Sequence, residues 1–218
     1  MKAMLLAAGR GERMRPLTDR VPKPLLEVKG VPLIVRQIMA LADCGISSIV
    51  INTAHLGRMI EDQLGAGEKY GVEIRYSREE TALETAGGIA LALPLLGQEP
   101  FIVANADLYC DYDYSHLAEM DLGKRLAHLV LVPNPEHHPI GDFSLQDGMA
   151  MLRGENSLTF SGIGLYRPEF FHALQPGKAA KLATLLREAI ALQKVSAERH
   201  EGLWVDVGTP ERLDLLNR

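Results

Sequence analysis

The chain has 218 residues, 47% of them hydrophobic, and a net charge of −5. That length supports a sizeable core and one large domain, expected to span 1–218. An acidic balance with no basic tract beyond one loop excludes a nucleic-acid footprint, and no run reaches the roughly 20 apolar residues of a membrane span. Two cysteines, Cys44 and Cys110, stand far apart without metal-type spacing, so a reducing, cytoplasmic setting is expected.

In chain order, Ala3–Ala7 is apolar without alternation, the pattern of a strand covered on both faces. It is too short for a signal peptide and breaks at once into Gly9, Arg10 and Gly11. Ile34, Ile38 and Leu41 share a helical face that Gly45 stops; Ile46–Thr53 reads as the second strand. Leu56, Ile60 and Leu64 predict a helix ending at Gly65, Val72–Tyr76 a third strand, and Gly87–Leu96 another helix. Phe101–Ala104 is a buried strand that runs into Asn105, Ala106 and Asp107, and Leu126–Val132 is a further apolar strand.

Shorter runs follow at Asp142–Leu145, Met149–Leu152 and Leu158–Tyr166, with Gln146, Asp147 and Gly148 as a hairpin turn between the first two. Lys181–Leu192 reads as a helix and Leu203–Val205 as a strand; Thr209 and Pro210 open a last helix. Alternation of strands and helices favours a mainly parallel sheet with helices on both faces, and the short β-rich region is expected to cover the crevice as a lid.

Gly9 and Gly11 lack a Cβ where a strand enters a loop, which lets main-chain N–H groups close on ligand oxygens. Arg10, Arg13, Arg15 and Lys23 concentrate positive charge beside that loop, against the overall balance, and suit a small polyanion. The third glycine of a dinucleotide fingerprint is missing, as is the GK[ST] of a P-loop. Pro22 and Pro24 restrict the backbone on either side of Lys23. Ligands of open α/β sheets sit beyond the carboxyl ends of the strands, so Asp107 is expected to face the same crevice as the glycines. Asp107 and Asp206 each follow an apolar strand. Joined across the fold they suit a hard divalent cation, while each alone also reads as a turn or capping residue.

The run LAAGRGERMRPLTDRVPKPLLEVKGVPL resembles the signature of the sugar-1-phosphate nucleotidyltransferases. The resemblance implies a Rossmann-like α/β fold with a β-rich sugar-binding lid. It implies that Leu6, Ala7, Ala8, Gly9 and Gly11 hold a nucleoside triphosphate, that Arg13 contacts its phosphates and that Lys23 stabilises charge at the α-phosphorus. It also implies a Mg²⁺ ion on Asp107 and Asp206, with Asp107 counted among the catalytic residues beside Arg13 and Lys23.

The segment ETAGGI resembles the family's LGTAGA run, which approaches base and ribose, with Glu84 in the usual first glycine position and Thr85, Gly87 and Gly88 left for close approach. Glu79 falls near the position that reads the base edge; a carboxylate accepts hydrogen bonds from uracil N3–H or from guanine, and a solvated turn residue is the alternative. For the sugar the resemblance implies Gly141, Glu155, Ser161 and Gly162, although Gly154, Glu155 and Asn156 stand where relatives often carry Glu-Lys-Pro. Adjacent His137 and His138 are read as turn residues rather than metal ligands, and Trp204 as packing beneath Asp206.

LETAGG with TFSGIGLYRP implies UTP as the nucleotide and N-acetylmuramic acid α-1-phosphate as the sugar phosphate. GTP with mannose 1-phosphate is the enzymatic alternative, and a non-catalytic nucleotide-sugar sensor the alternative of another class. The chain is expected to carry no appended acetyltransferase domain and to be a monomer or small homo-oligomer.

Overall fold

The unalternated apolar runs become the inner strands of a nine-stranded sheet, described by a computed structural model for residues 1–152 and 154–218. The elements are β1 (Lys2–Leu6), β2 (Glu27–Val28), β3 (Val31–Pro32), α1 (Leu33–Asp43), β4 (Ser48–Thr53), α2 (Gly57–Leu64), β5 (Glu73–Arg78), α3 (Glu84–Leu96), β6 (Phe101–Asn105) and β7 (Leu108–Cys110). There follow α4 (Ser115–Glu119), β8 (Ala127–Val132), β9 (Phe143–Gln146), β10 (Met149–Leu152), β11 (Ser157–Tyr166), α5 (Leu182–Ala191), β12 (Val195–Arg199), β13 (Trp204–Asp206) and α6 (Pro210–Asn217).

Strand order is β5-β4-β1-β6-β11-β8-β12-β10-β9. The first four are parallel to one another, as the strand–helix alternation predicts. β11 then enters antiparallel between β6 and β8, and β12 returns parallel to β8. Successive β1 residues feed opposite cores, which is the period of two built into a strand. Ala3 and Leu5 join Ile34, Ile38 and Leu41 of α1 and Ile60 and Leu64 of α2. Met4 joins Ala86, Ile89 and Leu96 of α3 and Leu182 and Leu186 of α5. Helices therefore cover both faces.

The β-rich segment is the β9–β10 hairpin, and it extends this same sheet. Asp147 and Gly148 both take positive φ at its tip, the backbone a two-residue hairpin turn requires. β9 also folds back to pair with the start of β11 at Ser157 and Leu158. Sequence periodicity passed over β7, β12 and α4. β7 and α4 are short, and β12 carries polar residues in a strand whose first half is buried by its neighbours.

Candidate active site

The carboxyl edge of the parallel strands builds the site. Pairing sets Asn52 of β4, Leu6 of β1 and Asn105 of β6 side by side, at the last paired positions of β1. Asn52 is buried, yet each end of its amide is used: Oδ1 accepts the Ala7 N–H at 2.8 Å, and Nδ2 donates to Glu79 Oε1 at 2.7 Å. One side chain thereby ties the chain leaving β1 to the residue after β5. The other Glu79 oxygen accepts the Leu83 N–H at 3.4 Å. Burial pushes the Glu79 carboxyl up from its ordinary range, and these hydrogen bonds oppose that shift. Gly88 of α3 is required by this arrangement, because a Cβ there would stand 2.4 Å from Glu79 Oε1.

Beyond Ala7 the loop is open. A Cβ on Gly9 would meet nothing within 4 Å, whereas Gly11, at φ +63°, packs where a Cβ would lie 2.9 Å from Thr18 Cγ2 and 3.2 Å from Lys23 Cβ. The Thr18 hydroxyl donates to the Gly11 carbonyl at 2.8 Å, fastening the loop to the segment that carries Lys23. Lys23 opens a short 3-10 turn through Leu25 after Pro22, and its ammonium forms an ion pair with Asp107 Oδ2. Leu6, Gly9, Gly11, Arg13, Lys23 and Asp107 line one cavity of about 410 Å³. Ala8, Asn52, Glu79, Thr85 and Asn105 line its neighbour of about 360 Å³, and Leu6, Gly9, Arg10 and Asp107 belong to both.

A two-stranded ribbon brings together the backbone segments that carry the two carboxylates proposed from the sequence. β13 pairs antiparallel with β7, Asp206 opposite Leu108, and the Val207 N–H donates to the Asp107 carbonyl at 3.3 Å. Asp206 Oδ1 accepts from Arg212 Nη1 at 2.6 Å and lies 3.1 Å from His137 Nε2. Its Oδ2 lies 3.2 Å from the point where a Gly208 Cβ would stand, and Arg13 Nη2 lies 3.4 Å from that same point. Gly208 lines the cavity with Arg13, Lys23 and Asp107, so the absent side chain keeps this approach clear. Two half-buried carboxylates are a hard donor set, and among the described residues no cluster of three or more His, Cys, Asp or Glu gathers there. Phosphate oxygens and water would complete the shell, which is how Mg²⁺ is commonly held. The residues fit that ion.

A third cavity of about 340 Å³ shares Leu6, Glu84, Thr85 and Asn105 with the second. Of the residues assigned to the sugar, Gly162 lines it. Gly162 has φ +82° at an irregularity in the β8–β11 pairing, and a Cβ there would lie 2.4 Å from Asn105 Nδ2. Ser161 is buried, its hydroxyl accepting the Ile163 N–H at 3.1 Å and its carbonyl the Trp204 indole N–H at 3.0 Å. Gly141 sits in a turn where a Cβ would crowd Asn134 Oδ1 and the Leu158 carbonyl, and Glu155 is exposed in the turn before β11. Trp204 packs against the core cluster that contains Leu108 and Ile163.

No site role is expected of Asn52, Asn105 or Arg212 from the sequence, and His137, expected only as a turn residue, lies against Asp206. The first two carried a signal: each is an amide at the carboxyl end of a run of buried aliphatic residues, SIVIN and FIVAN. His137 and Arg212 gave none, because their partner Asp206 lies 69 and 6 positions away with no pattern linking them.

A glycine-rich anion loop, a lysine paired with an acid at a strand end and a second acid beside it define a phosphoryl-group transferase fold and site. The chain belongs to the nucleotidyl transferase family, whose model matches residues 2–143. It is 54% identical to the N-acetylmuramate alpha-1-phosphate uridylyltransferase of Neisseria meningitidis serogroup B, over 98% of this chain and 95% of that protein. Mannose-1-phosphate guanyltransferase 2 of Candida glabrata is 33% identical over 97% of this chain and 62% of its own length. Among solved structures, a candidate glucose-1-phosphate thymidylyltransferase from Bacillus anthracis, in complex with a sucrose, has a TM-score of 0.87 at 25% identity, covering 100% of this chain and 94% of that one. HddC from Yersinia pseudotuberculosis complexed with GMP-PN has a TM-score of 0.80 at 20% identity and shares the fold.

Proposed function

We propose that this protein transfers the uridylyl group of UTP to N-acetylmuramic acid α-1-phosphate, giving UDP-N-acetylmuramic acid and pyrophosphate. Mg²⁺ is its cofactor, and recycling of cell-wall sugar in the cytoplasm its setting. The observation that carries the reading is the 54% identity to the Neisseria uridylyltransferase over 98% of the chain.

The chain's own residues account for the chemistry. The loop from Leu6 to Gly11 offers backbone and open space to the triphosphate, and Arg13 and Lys23 offset the negative charge that accumulates as the α-phosphorus is attacked. A phosphate oxygen of the sugar phosphate forms the new bond to that phosphorus, and the bond to the bridging oxygen of pyrophosphate breaks. No protein base is needed, because a phosphate monoester with a second pKa of about 6 is already ionised at neutral pH. Asp107 and Asp206 are the residues that would hold Mg²⁺, which supplies charge neutralisation and alignment of phosphate oxygens when bound. The ion pair with Asp107 orients the Lys23 ammonium at the loop's mouth.

Pyrophosphate release across UTP, GTP, dTTP and CTP, each against N-acetylmuramic acid 1-phosphate, N-acetylglucosamine 1-phosphate and mannose 1-phosphate, tests the reading. Selectivity for UTP with the first sugar is expected. Preference for GTP with mannose 1-phosphate overturns the substrate, and nucleotide binding without pyrophosphate release in the presence of Mg²⁺ overturns catalysis.

A further inference from the structure

The third cavity is not uniform in charge. Lys181, just before α5, and Arg187, midway along it, are both exposed and line it, and among the described residues neither is paired with a carboxylate. Lys181 occupies the position before the ten-residue α5, with no side chain capping the helix, so the positive helix end adds to the same wall. Two carboxylates also face the space. Asp142 is committed, its Oδ2 accepting the Phe160 N–H at 2.9 Å and its Oδ1 lying 3.2 Å from His138 Nε2. Glu84 stands on the α3 side with φ +57°.

The wall is held in place rather than loosely hung. The Ala180 N–H donates to the Leu83 carbonyl at 3.0 Å, and the Ala180 carbonyl accepts the N–H groups of Ala86 and Gly87. That strap approaches α3 so closely that a Cβ on Gly87 would lie 2.4 Å from the Lys178 carbonyl oxygen. Lys181 therefore leaves a fixed backbone beside Glu84, while Phe160 and Leu186 give the cavity an apolar lining. Cations on one wall of an apolar cavity fit a substituent that carries a carboxylate on a short hydrocarbon arm.

We propose that Lys181 and Arg187 form a carboxylate-recognition subsite that selects sugar 1-phosphates bearing an acidic side group over neutral ones. The inference rests on the function proposed above, whose sugar carries a lactyl acid that N-acetylglucosamine lacks.

Steady-state kinetics with UTP on the full chain test it, using Lys181→Met, Arg187→Met and the double variant. For N-acetylmuramic acid 1-phosphate, each variant is expected to raise KM roughly three- to tenfold with kcat within about twofold, the effect expected of an exposed charge pair. KM for N-acetylglucosamine 1-phosphate should stay put. The lactyl methyl ester gives a readout on the unaltered protein: its KM should approach that of the double variant with the acid. Equal effects on both sugars, or an ester used as well as the acid, overturn the subsite alone. A wild-type protein that turns over no acid-bearing sugar phosphate overturns the proposed substrate together with it.

Discussion

Lys23 and Asp107, 84 positions apart in the chain, meet in an ion pair where the glycine loop opens. Both side chains are mostly buried, 12% and 25% exposed, so each orients the other in a setting that water screens poorly. The pair joins the residue assigned to transition-state charge with the residue assigned to the metal.

Because they act at one point, removing either is expected to cost about 10²- to 10³-fold in kcat for nucleotidyl transfer. Lys23→Ala and Asp107→Asn, followed by pyrophosphate release and far-ultraviolet circular dichroism, check this. Both variants should keep the wild-type spectrum, and near-normal turnover in either removes that residue from the chemistry.

The glycines separate packing from ligand access. Gly9 has open space at its Cβ position and lines two cavities, so Gly9→Ala should leave urea stability within about 0.5 kcal/mol while raising KM for UTP. A Cβ on Gly87 would lie 2.4 Å from the Lys178 carbonyl oxygen, and backbone cannot swing aside, so Gly87→Ala should cost roughly 2–3 kcal/mol through overpacking. Urea midpoints paired with KM for UTP check both; a Gly87→Ala protein as stable as wild type overturns the packing account.

The places of the loop and Asp107 could be read from sequence because each follows the end of an apolar strand of the parallel sheet, whereas Lys23, in a 3-10 turn, and Asp206, in the separate two-stranded ribbon, were pointed to by the motifs around them. The interior of ETAGG could not be read in this way. Gly87 and Gly88, expected to allow close approach of a nucleotide, make room for the Lys178–Ala180 strap and for Glu79, contacts between segments that only the folded chain brings together. Glu84 is the converse: a residue at φ +57° in a place where the resembled motif has glycine, the residue that adopts this conformation without strain. The resemblance implies both Ser161 and Gly162 for the sugar, yet Gly162 lines the third cavity while the buried Ser161 hydroxyl accepts the Ile163 N–H.

Metal dependence tests the second acid. Chelation with EDTA should abolish pyrophosphate release and added Mg²⁺ restore it. Asp206→Asn keeps the acceptor oxygen for Arg212 but halves the carboxylate supply, so the Mg²⁺ concentration for half-maximal rate should rise by about tenfold or more. A Mg²⁺ titration of initial rates checks it, and an unchanged midpoint would leave Asp206 as an anchor for Arg212 only.

Away from the site, Glu198 of β12 should govern acid stability. Burial opposes its ionisation, but His128 Nε2 at 3.7 Å, the Tyr112 hydroxyl and His116 Nδ1 at 2.6 Å outweigh it and hold the carboxyl down at about 2, from an ordinary 4.5. A carboxyl depressed on folding contributes stability that is fully present above its unfolded value and is lost as pH falls through the folded one, here between about 4.5 and about 2. That shift corresponds to a contribution on the order of 3 kcal/mol at neutral pH. Glu198→Gln should therefore melt well below wild type at pH 7, and the gap between the two melting temperatures should narrow as pH is lowered from 5 to 3. A gap that stays constant over that range would mean that ionisation of Glu198 is not what separates the two proteins.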